Sequence, residues 1–237
     1  MQPIIGKRLL MIAGLATVLG ASLHGQWEQA VAVPAQARPA VPAPLVDTPN
    51  PARSETAVLA GGCFWGVQGV FQHVKGVSSA VAGYSGGASG TARYDSVSGG
   101  NTGHAEAVKI TFDPRQVSYG TLLRIYFTVV ADPTTRDYQG PDHGTQYRTA
   151  LFPQSPRQRD IAQRYVAQLG QAGVWKRPIV TRIEPFKGFY PAESYHQDFL
   201  TRHPESSYIR INDQPKVDAL RQAFPRSYRN NGVLVRP

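Results

Sequence analysis

The sequence predicts an α/β domain in which helices pack against a mixed sheet. Two observations lead to this prediction. Segments with strand periodicity alternate with segments of helical periodicity, and glycine, proline or capping residues separate them. The length of 237 residues and the hydrophobic content of 41% are sufficient for a substantial core. The chain contains no internal repeat and is long enough for one large domain or two small ones.

The first predicted strand, over residues 56–60, ends at a glycine pair that allows a sharp turn. A helix follows Cys63, because apolar residues recur beyond it at helical spacing. Gly66 and Gly69 lie in the first turns of this helix and lower its intrinsic stability, which indicates a close approach by another part of the chain. The apolar stripe consists of Phe64, Val67, Val70, Phe71 and Val74.

The remaining predicted elements alternate in the same way. Ser118 can cap a helix over residues 119–130. Ser155 followed by Pro156 predicts a second helix that continues to about Leu169, because proline is favoured in the first turn of a helix. Further strands are predicted over residues 79–82, 104–112, 147–152 and 176–184, and shorter helices over residues 192–201 and 217–223.

The two ends of the chain differ in composition from its middle. Lys7 and Arg8 precede an apolar stretch over residues 9–23, which predicts an export signal that is either cleaved or kept as an anchor. Six prolines follow within a short segment and favour an extended linker. The predicted division is a signal over residues 1–32, a proline- and alanine-rich linker over 33–53, a folded domain over 54–224 and a basic flexible tail over 225–237.

Composition excludes several classes of protein. The net charge is +9, but the basic residues are spread along the chain without a recognisable nucleic-acid motif, so we expect no nucleic-acid partner. The single cysteine excludes an internal disulfide and a cysteine-based zinc site. No histidine pair has the spacing of a metal motif, so no metal is expected. The body of the chain contains no apolar run long enough for a transmembrane helix.

Cys63 is the first candidate functional residue. It lies at the predicted junction of strand and helix, where the helix N-terminus favours the thiolate, which is the reactive form of cysteine. The alternative is an inert, buried cysteine, which is the common case. Trp65 lies almost opposite the apolar stripe of the helix, and a tryptophan in that position is better explained as the wall of a pocket than as core packing.

Glu106 is the second candidate. In the strand over residues 104–112 it shares a face with Val108, Ile110 and Phe112, which is the apolar face. A carboxyl group on that face is poorly solvated, so its pKa should rise and it could act as a general acid. The alternative is a glutamate at the end of the strand whose carboxylate reaches water. The alternation pattern alone leaves both interpretations open.

Four polar residues have weaker signals. Tyr94 lies within a long glycine-rich segment over residues 84–103, and long loops in compact domains are often functional. Asp142, His143 and Tyr147 cluster where a turn leads into a predicted strand. Sequence spacing does not decide whether this cluster is a capping turn or part of a site.

Four motifs nevertheless resemble one known family. Gly62-Cys63-Phe64-Trp65-Gly66 is similar to the active-site signature of the A-type peptide-methionine sulfoxide reductases. The resemblance covers residues 56–224 in the order and spacing of the family. Its other motifs are Ala82-Gly83-Tyr84, Thr102-Gly103-His104-Ala105-Glu106 and Gly140-Pro-Asp-His-Gly-Thr-Gln-Tyr-Arg148.

The resemblance implies a ferredoxin-like α/β sandwich with long coil segments. It implies a thiol-dependent enzyme without a cofactor that reduces the S epimer of methionine sulfoxide, free or within proteins, through a sulfenic acid. Cys63 would be the nucleophile and Glu106 the acid that protonates the sulfoxide oxygen. By the same resemblance, Tyr94 and Tyr147 would hydrogen-bond that oxygen, Asp142 would order the polar network, and Phe64 and Trp65 would receive the methyl group of the substrate.

The chain departs from the family pattern at several positions. Many members carry resolving cysteines near the C-terminus, but this chain has none after Tyr195. An external thiol must therefore reduce the sulfenic acid, and we expect a thioredoxin-like or glutaredoxin-like protein or a small thiol to do so. Gln68 and Ala131 also replace common family residues. We further expect a periplasmic monomer that repairs oxidised proteins and contacts the membrane only if the signal is uncleaved.

Three other functions are compatible with a reactive cysteine. A cysteine-dependent hydrolase would need a histidine beside Cys63, for which His143 and His196 are the candidates. A thiol peroxidase would use the low pKa of the thiol but not the acid or the aromatic wall. A secreted binding module would contain an unreactive Cys63.

Overall fold

The computed structural model describes residues 40–235. The predicted export signal over residues 1–32 lies outside the described residues, as do residues 33–39 of the linker and the last two residues of the tail. Between residues 40 and 235, no helix has the length and apolar character needed to cross a membrane.

A mixed sheet of six strands forms the centre of the domain, with the order β7-β6-β1-β3-β2-β8. The pairing of β6 with β7 is parallel and the other pairings are antiparallel. A separate hairpin, β4 with β5, lies outside this sheet. The strands are β1 Glu55–Gly61, β2 Val77–Ser85, β3 Ala105–Phe112, β4 Tyr138–Gln139, β5 Asp142–His143, β6 Thr149–Phe152, β7 Arg182–Ile183 and β8 Phe189–Pro191.

Six α-helices connect the strands or follow them within the described chain. Both predicted caps are present: the Ser118 hydroxyl accepts a hydrogen bond from the Thr121 amide at 3.1 Å, and Ser155 accepts one from the Gln158 amide at 3.2 Å. The helices are α1 Phe64–Gln72, α2 Tyr94–Val97, α3 Tyr119–Ile125, α4 Pro156–Gln171, α5 Phe199–Arg202 and α6 Gln214–Ala223, and α3 continues as a π-helical turn over Tyr126–Val130.

The main core lies between one face of the sheet and the helices. Strand β1 divides its side chains by alternation, so Leu59 faces this core and Val58 contributes to a smaller cluster on the opposite face. The predicted stripe of α1 is buried here, with Val67 and Phe71 fully inaccessible to solvent. The prediction of an α/β domain with a mixed sheet and packed helices is therefore confirmed.

Three predicted elements differ from the structure. The strand expected over residues 176–184 is reduced to β7, and the strand expected over residues 147–152 begins at Thr149. The helix expected over residues 192–201 is divided into a 3₁₀ turn, Ser194–His196, and α5. The division occurs because Asp198 has a left-handed backbone with φ of 59°, which a continuous helix cannot accommodate.

The proline-rich segment, which the sequence predicts to be an extended linker, packs along the domain where it is described. The backbone carbonyls of Val41, Pro42 and Ala43 accept hydrogen bonds from the side chains of Arg124, Tyr165 and Gln168 at 2.7–3.0 Å. Val41 is buried against the core. Extended proline-rich backbone has unused carbonyl acceptors, and the side chains of α3 and α4 bind them here.

The basic tail is also attached to the domain as far as it is described. The amide of Arg229 donates to the carbonyl of His73 at 2.9 Å, and the amide of Val233 donates to that of Gln72 at 3.0 Å. These bonds satisfy carbonyls at the C-terminal end of α1, which have no partner within the helix. The tail therefore completes the end of α1 that lies farthest from Cys63.

Candidate active site

A turn between β1 and α1 places Cys63. Gly62 has a φ of +88°, which residues with a side chain rarely adopt, and a Cβ atom there would lie 2.6 Å from Cβ of Gln139. Cys63 itself is the N-cap residue of α1. Gly62, the second glycine of the pair identified in the sequence, is therefore required both for the backbone conformation and for the close approach of Gln139.

The Cys63 thiol is protonated in the resting site. Cys63 is buried, with 7% of its surface exposed, and this burial raises the pKa of the thiol well above its usual value. The nearby carboxyl groups of Glu106 and Asp213 raise this pKa further, whereas a hydrogen bond from the Trp65 amide and the charge of Lys216 lower it. Desolvation and two carboxyl groups therefore outweigh the effect of the helix N-terminus, which favours the thiolate.

Glu106 lies beside this thiol on β3. It is 3% exposed, and its Oε2 atom accepts a hydrogen bond from the Phe64 amide at 2.9 Å. Burial raises the pKa of Glu106 to about 8, and the charges of Asp142 and Asp213 add to this effect, whereas the Phe64 amide opposes it. Of the two interpretations of the strand pattern, the buried carboxyl is correct. Glu106 therefore holds a proton near neutral pH.

Aromatic side chains form one wall of the site. The Trp65 ring stacks on Phe199 at a centroid distance of 3.8 Å and meets the edge of Tyr208 at 5.8 Å. Its Nε1 atom donates to Nδ1 of His196 at 3.2 Å. Phe64 is buried and its ring lies 5.0 Å from that of His196. Trp65 is thus held on several sides by aromatic contacts and one hydrogen bond.

Two tyrosine hydroxyl groups converge on the thiol and the carboxyl. Tyr94 begins α2, and Tyr147 ends the 3₁₀ turn that precedes β6. Burial raises the pKa of both hydroxyl groups, and the charges of Glu106 and Cys63 act in the same direction. Both groups are therefore neutral hydrogen-bond donors near neutral pH. The backbone amide of Tyr94 donates to Glu193 at 2.9 Å, which fixes the start of α2.

Asp142 and His143 occupy different places although they are adjacent in the sequence. Asp142 is half-buried on β5 and accepts a hydrogen bond from the Tyr208 hydroxyl. His143 is exposed and stacks on Tyr138 at 5.1 Å. Asp142 therefore belongs to the polar network of the site, and His143 does not.

No histidine hydrogen-bonds Cys63 within the described chain. His196 is buried, but its Nδ1 atom accepts from Trp65 and its Nε2 atom has no partner. Burial also lowers the pKa of His196, so the ring is neutral. This arrangement lacks the paired nucleophile and base that a cysteine hydrolase needs. Among residues 40–235, no group of histidine, cysteine and carboxylate side chains could hold a metal ion.

Several residues at the site were not predicted from the sequence. Asp213 is the residue before α6 and Lys216 lies in its first turn, and both are near Cys63. Tyr208 contacts both Asp142 and Trp65. Gly66 was the sequence feature that could have revealed them, because a glycine in the first turn of α1 predicts a close approach by another part of the chain. A Cβ atom on Gly66 would lie 2.1 Å from Oδ1 of Asp213, so that prediction is confirmed.

A comparison with protein families decides the identity of this fold and site. The model of the family described as Peptide methionine sulfoxide reductase matches residues 55–228, which is more than half of the chain. The chain belongs to this family. It is an oxidoreductase that reduces methionine sulfoxide, and the hydrolase, peroxidase and binding-module interpretations are set aside.

Individual relatives agree with this membership. Peptide methionine sulfoxide reductase MsrA 2 of Mesorhizobium japonicum is 59% identical over 182 residues, which cover 77% of this chain and 93% of that protein. MsrA 2 of Synechocystis is 47% identical over 189 residues, which cover 78% of this chain and 88% of the relative.

Solved structures of the family have a similar fold. The reduced form of Mxr1 from Saccharomyces cerevisiae has a TM-score of 0.57 and 32% identity, and the match covers 68% of this chain and 92% of that one. Methionine sulfoxide reductase A of Corynebacterium diphtheriae has a TM-score of 0.56 and 31% identity, with 70% and 87% covered.

Proposed function

We propose that this reductase acts on the S epimer of methionine sulfoxide, free and within proteins, with Cys63 as nucleophile and Glu106 as general acid. One observation carries the assignment of the two roles. The Glu106 carboxyl group, with a pKa of about 8, is buried beside the single cysteine and accepts a hydrogen bond from the amide of Phe64, the residue after Cys63. The sulfoxide oxygen is a poor leaving group unless it is protonated, and a carboxyl group that holds its proton near neutral pH can supply that proton.

The reaction balances within this pair of residues. The sulfur of Cys63 attacks the sulfoxide sulfur and loses its own proton, while Glu106 gives its proton to the sulfoxide oxygen. The protonated oxygen then bonds to the Cys63 sulfur as its bond to the substrate sulfur and the new sulfur–sulfur bond both break. Methionine leaves, and Cys63 is left as a sulfenic acid. The cysteine sulfur is oxidised by two electrons and the substrate sulfur is reduced by two. The proton lost by the thiol restores Glu106.

The neighbouring side chains support this reaction. Tyr94 and Tyr147 would donate hydrogen bonds to the sulfoxide oxygen as negative charge develops on it, and such donors are effective when they are fixed in advance. Phe64 and Trp65 would receive the methyl group on sulfur. Asp142 would act indirectly, because its bond with the Tyr208 hydroxyl holds the polar side of the site.

Electrons for the next cycle come from outside the chain. Because Cys63 is the single cysteine, its sulfenic acid has no partner thiol within the protein. A first external thiol would form a mixed disulfide with Cys63 and release water, and a second would displace Cys63 as a free thiol. We assign this role to a thioredoxin-like or glutaredoxin-like protein or to a small thiol.

The wider setting of the enzyme is also proposed. The basic residues Lys7 and Arg8 before an apolar stretch support export to the periplasm, where the enzyme would repair oxidised envelope proteins as a monomer. A ferredoxin-like arrangement is supported by the chain order β1-α1-β2-β3-α3-β6 together with the strand order β6-β1-β3-β2.

The proposed reaction is tested with separated S and R epimers, dithiothreitol as the electron donor, and the full chain. We expect turnover of the S epimer alone, no turnover by Cys63→Ser, and a loss of roughly 10²-fold or more in kcat for Glu106→Gln, because general acid catalysis contributes about that much. Glu205→Gln, a change at an exposed carboxylate, is the matched control and should retain full activity. Equal turnover of both epimers, or activity in Cys63→Ser, would contradict the proposal.

A further inference from the structure

An ion pair is buried beside the catalytic helix without a place in the reaction described above. The Lys216 ammonium lies 3.0 Å from Oδ1 of Asp213. The Asp213 side chain is completely inaccessible to solvent, and that of Lys216 is 18% exposed. The second oxygen, Oδ2 of Asp213, is buried and has no hydrogen-bond partner within residues 40–235.

This pair rests directly on the first turn of α1. A Cβ atom on Gly66 would lie 2.1 Å from Oδ1 of Asp213 and 3.0 Å from the Lys216 ammonium. The absence of a side chain at Gly66 is therefore what allows both charges to approach the helix. Since Gly66 is three residues after Cys63, the pair faces the same turn of helix that begins at the thiol.

Burial makes this arrangement costly for folding alone. Two charges removed from water lose much of their solvation, and apolar side chains of the same size often stabilise a fold as well or better. A carboxylate with one unpartnered oxygen is less favourable still. At the same time, charges in a poorly solvated region act on their neighbours more strongly than they would in water.

We propose that Asp213 and Lys216 are positioning residues that set the charge balance around the Cys63 thiol through the first turn of α1. This inference rests on the proposed role of Cys63 as nucleophile. Asp213 opposes formation of the thiolate and Lys216 favours it, so the two residues act on Cys63 in opposite directions. As a pair, Asp213 and Lys216 keep the buried Cys63 thiol protonated at rest. The Lys216 ammonium also lies close enough to compensate the negative charge of the thiolate when it forms.

Other groups also face Cys63 and remain constant in the test. Glu106 faces it from β3, Tyr94 from α2, Tyr147 from the turn before β6, and Tyr208 from the segment before α6. Glu106 is the only one of these four groups whose pKa lies near neutral pH, because burial raises it to about 8. Its contribution is therefore measured separately in Glu106→Gln.

The test is the rate of Cys63 alkylation by iodoacetamide as a function of pH, measured on the full chain. Because the chain has one cysteine, alkylation reports Cys63 alone. Asp213→Asn should raise the rate at pH 8 by about tenfold, since removing a nearby negative charge shifts a pKa by about one unit. Lys216→Met should lower the rate at pH 9, and Lys216→Arg should leave it close to that of the wild type.

The opposite directions separate this role from a structural one. If the pair only supported the fold, both substitutions would loosen the site and both would accelerate alkylation. Asp218→Asn is the matched control, because Asp218 forms an exposed ion pair with Arg221 on the same helix and should leave the rate unchanged.

The proposal holds if Asp213→Asn accelerates alkylation and Lys216→Met slows it. It is overturned if Asp213→Asn gains less than about threefold, equivalent to half a pKa unit, or if Lys216→Met is not slower than the wild type. If Asp213→Asn does not fold, the Lys216 variants alone test the proposal. Slower alkylation in Lys216→Met together with an unchanged rate in Lys216→Arg supports the proposal, and any other pattern overturns it. Alkylation needs no turnover, so loss of reductase activity in the wild type would count against the proposed function and not against this inference.

Discussion

Cys63 and Glu106 share a poorly solvated region in which both prefer to be protonated. Burial is the first cause in each case, because an ionised thiol or carboxyl loses its contact with water. The two groups also oppose each other's ionisation, so they titrate as a pair. The resting enzyme is therefore neutral at its centre, and proton movement from Cys63 must accompany proton donation by Glu106.

The raised pKa of Glu106 predicts how stability depends on pH. Its pKa is about 8 in the folded chain and 4.5 ordinarily, so between these values the folded chain keeps a proton that the unfolded chain has released. The contribution of Glu106 to the free energy of unfolding is therefore fully present below pH 4.5 and is lost as the pH rises to about 8. Glu106→Gln removes this loss, so the variant should gain a few kcal/mol relative to the wild type across that window.

Thermal unfolding at a series of pH values checks this prediction. The difference in Tm between Glu106→Gln and the wild type should increase between pH 4.5 and 8 and then level off. Glu205→Gln, at an exposed carboxylate, serves as the control and should show no such trend. A constant difference in Tm would mean that Glu106 ionises normally in the folded protein.

At the scale of secondary structure, the features predicted from sequence are those with local causes. The stripe of α1, the caps Ser118 and Ser155, and the placement of Glu106 on the apolar face of β3 follow from periodicity and from contacts within a few residues. Each was visible without knowledge of the partner elements. The α/β class followed from the order of these elements.

The features that sequence did not predict depend on distant contacts. The left-handed Asp198 lies where Gln72 and the Val235 amide reach its side chain, and neither is near it in sequence. Lys216 and Asp213 become part of the site only because the chain returns to α1 at Gly66. Periodicity carries no information about such contacts, which explains why the helix break and the ion pair were missed.

The turn before α1 provides a prediction at this scale. In Gly62→Ala, the new Cβ atom would meet Gln139 and force an unfavourable φ, so we expect a loss of roughly 1–3 kcal/mol in unfolding free energy, together with reduced activity. Chemical denaturation measures the first and epimer turnover the second. Gly90→Ala is the control, because a Cβ atom there meets nothing within 4 Å. Equal stability of the two variants would show that the turn tolerates a side chain.

At the scale of the whole molecule, both ends of the described chain pack on the domain. The segment over residues 40–53 lies along α3 and α4, and residues 225–235 return to the end of α1. These contacts extend the compact unit beyond the boundaries that composition predicted. Proline content indicates extended backbone, but extended backbone can still be bound through its carbonyl groups.

Asp47 offers a test of the contribution of the N-terminal segment. Its carboxylate accepts hydrogen bonds from the Ser118 hydroxyl and, at 3.1 Å, from the Gly120 amide at the start of α3. Asp47→Ala should lower the unfolding free energy by about 1 kcal/mol, as for the loss of a helix cap. Asp160→Ala, which removes an exposed carboxylate of α4, should change stability little. Equal effects in chemical denaturation would show that the segment adds no stability.

The most direct test of Cys63 as the oxygen acceptor is the yield of a single turnover without any added thiol. The full chain contains one cysteine and no internal means of reducing its sulfenic acid. Incubation with excess S epimer should therefore release one methionine per chain and leave Cys63 reactive toward dimedone, while Cys63→Ser releases none. A yield that continues past one equivalent, or a full equivalent from Cys63→Ser, would contradict Cys63 as the acceptor of the sulfoxide oxygen.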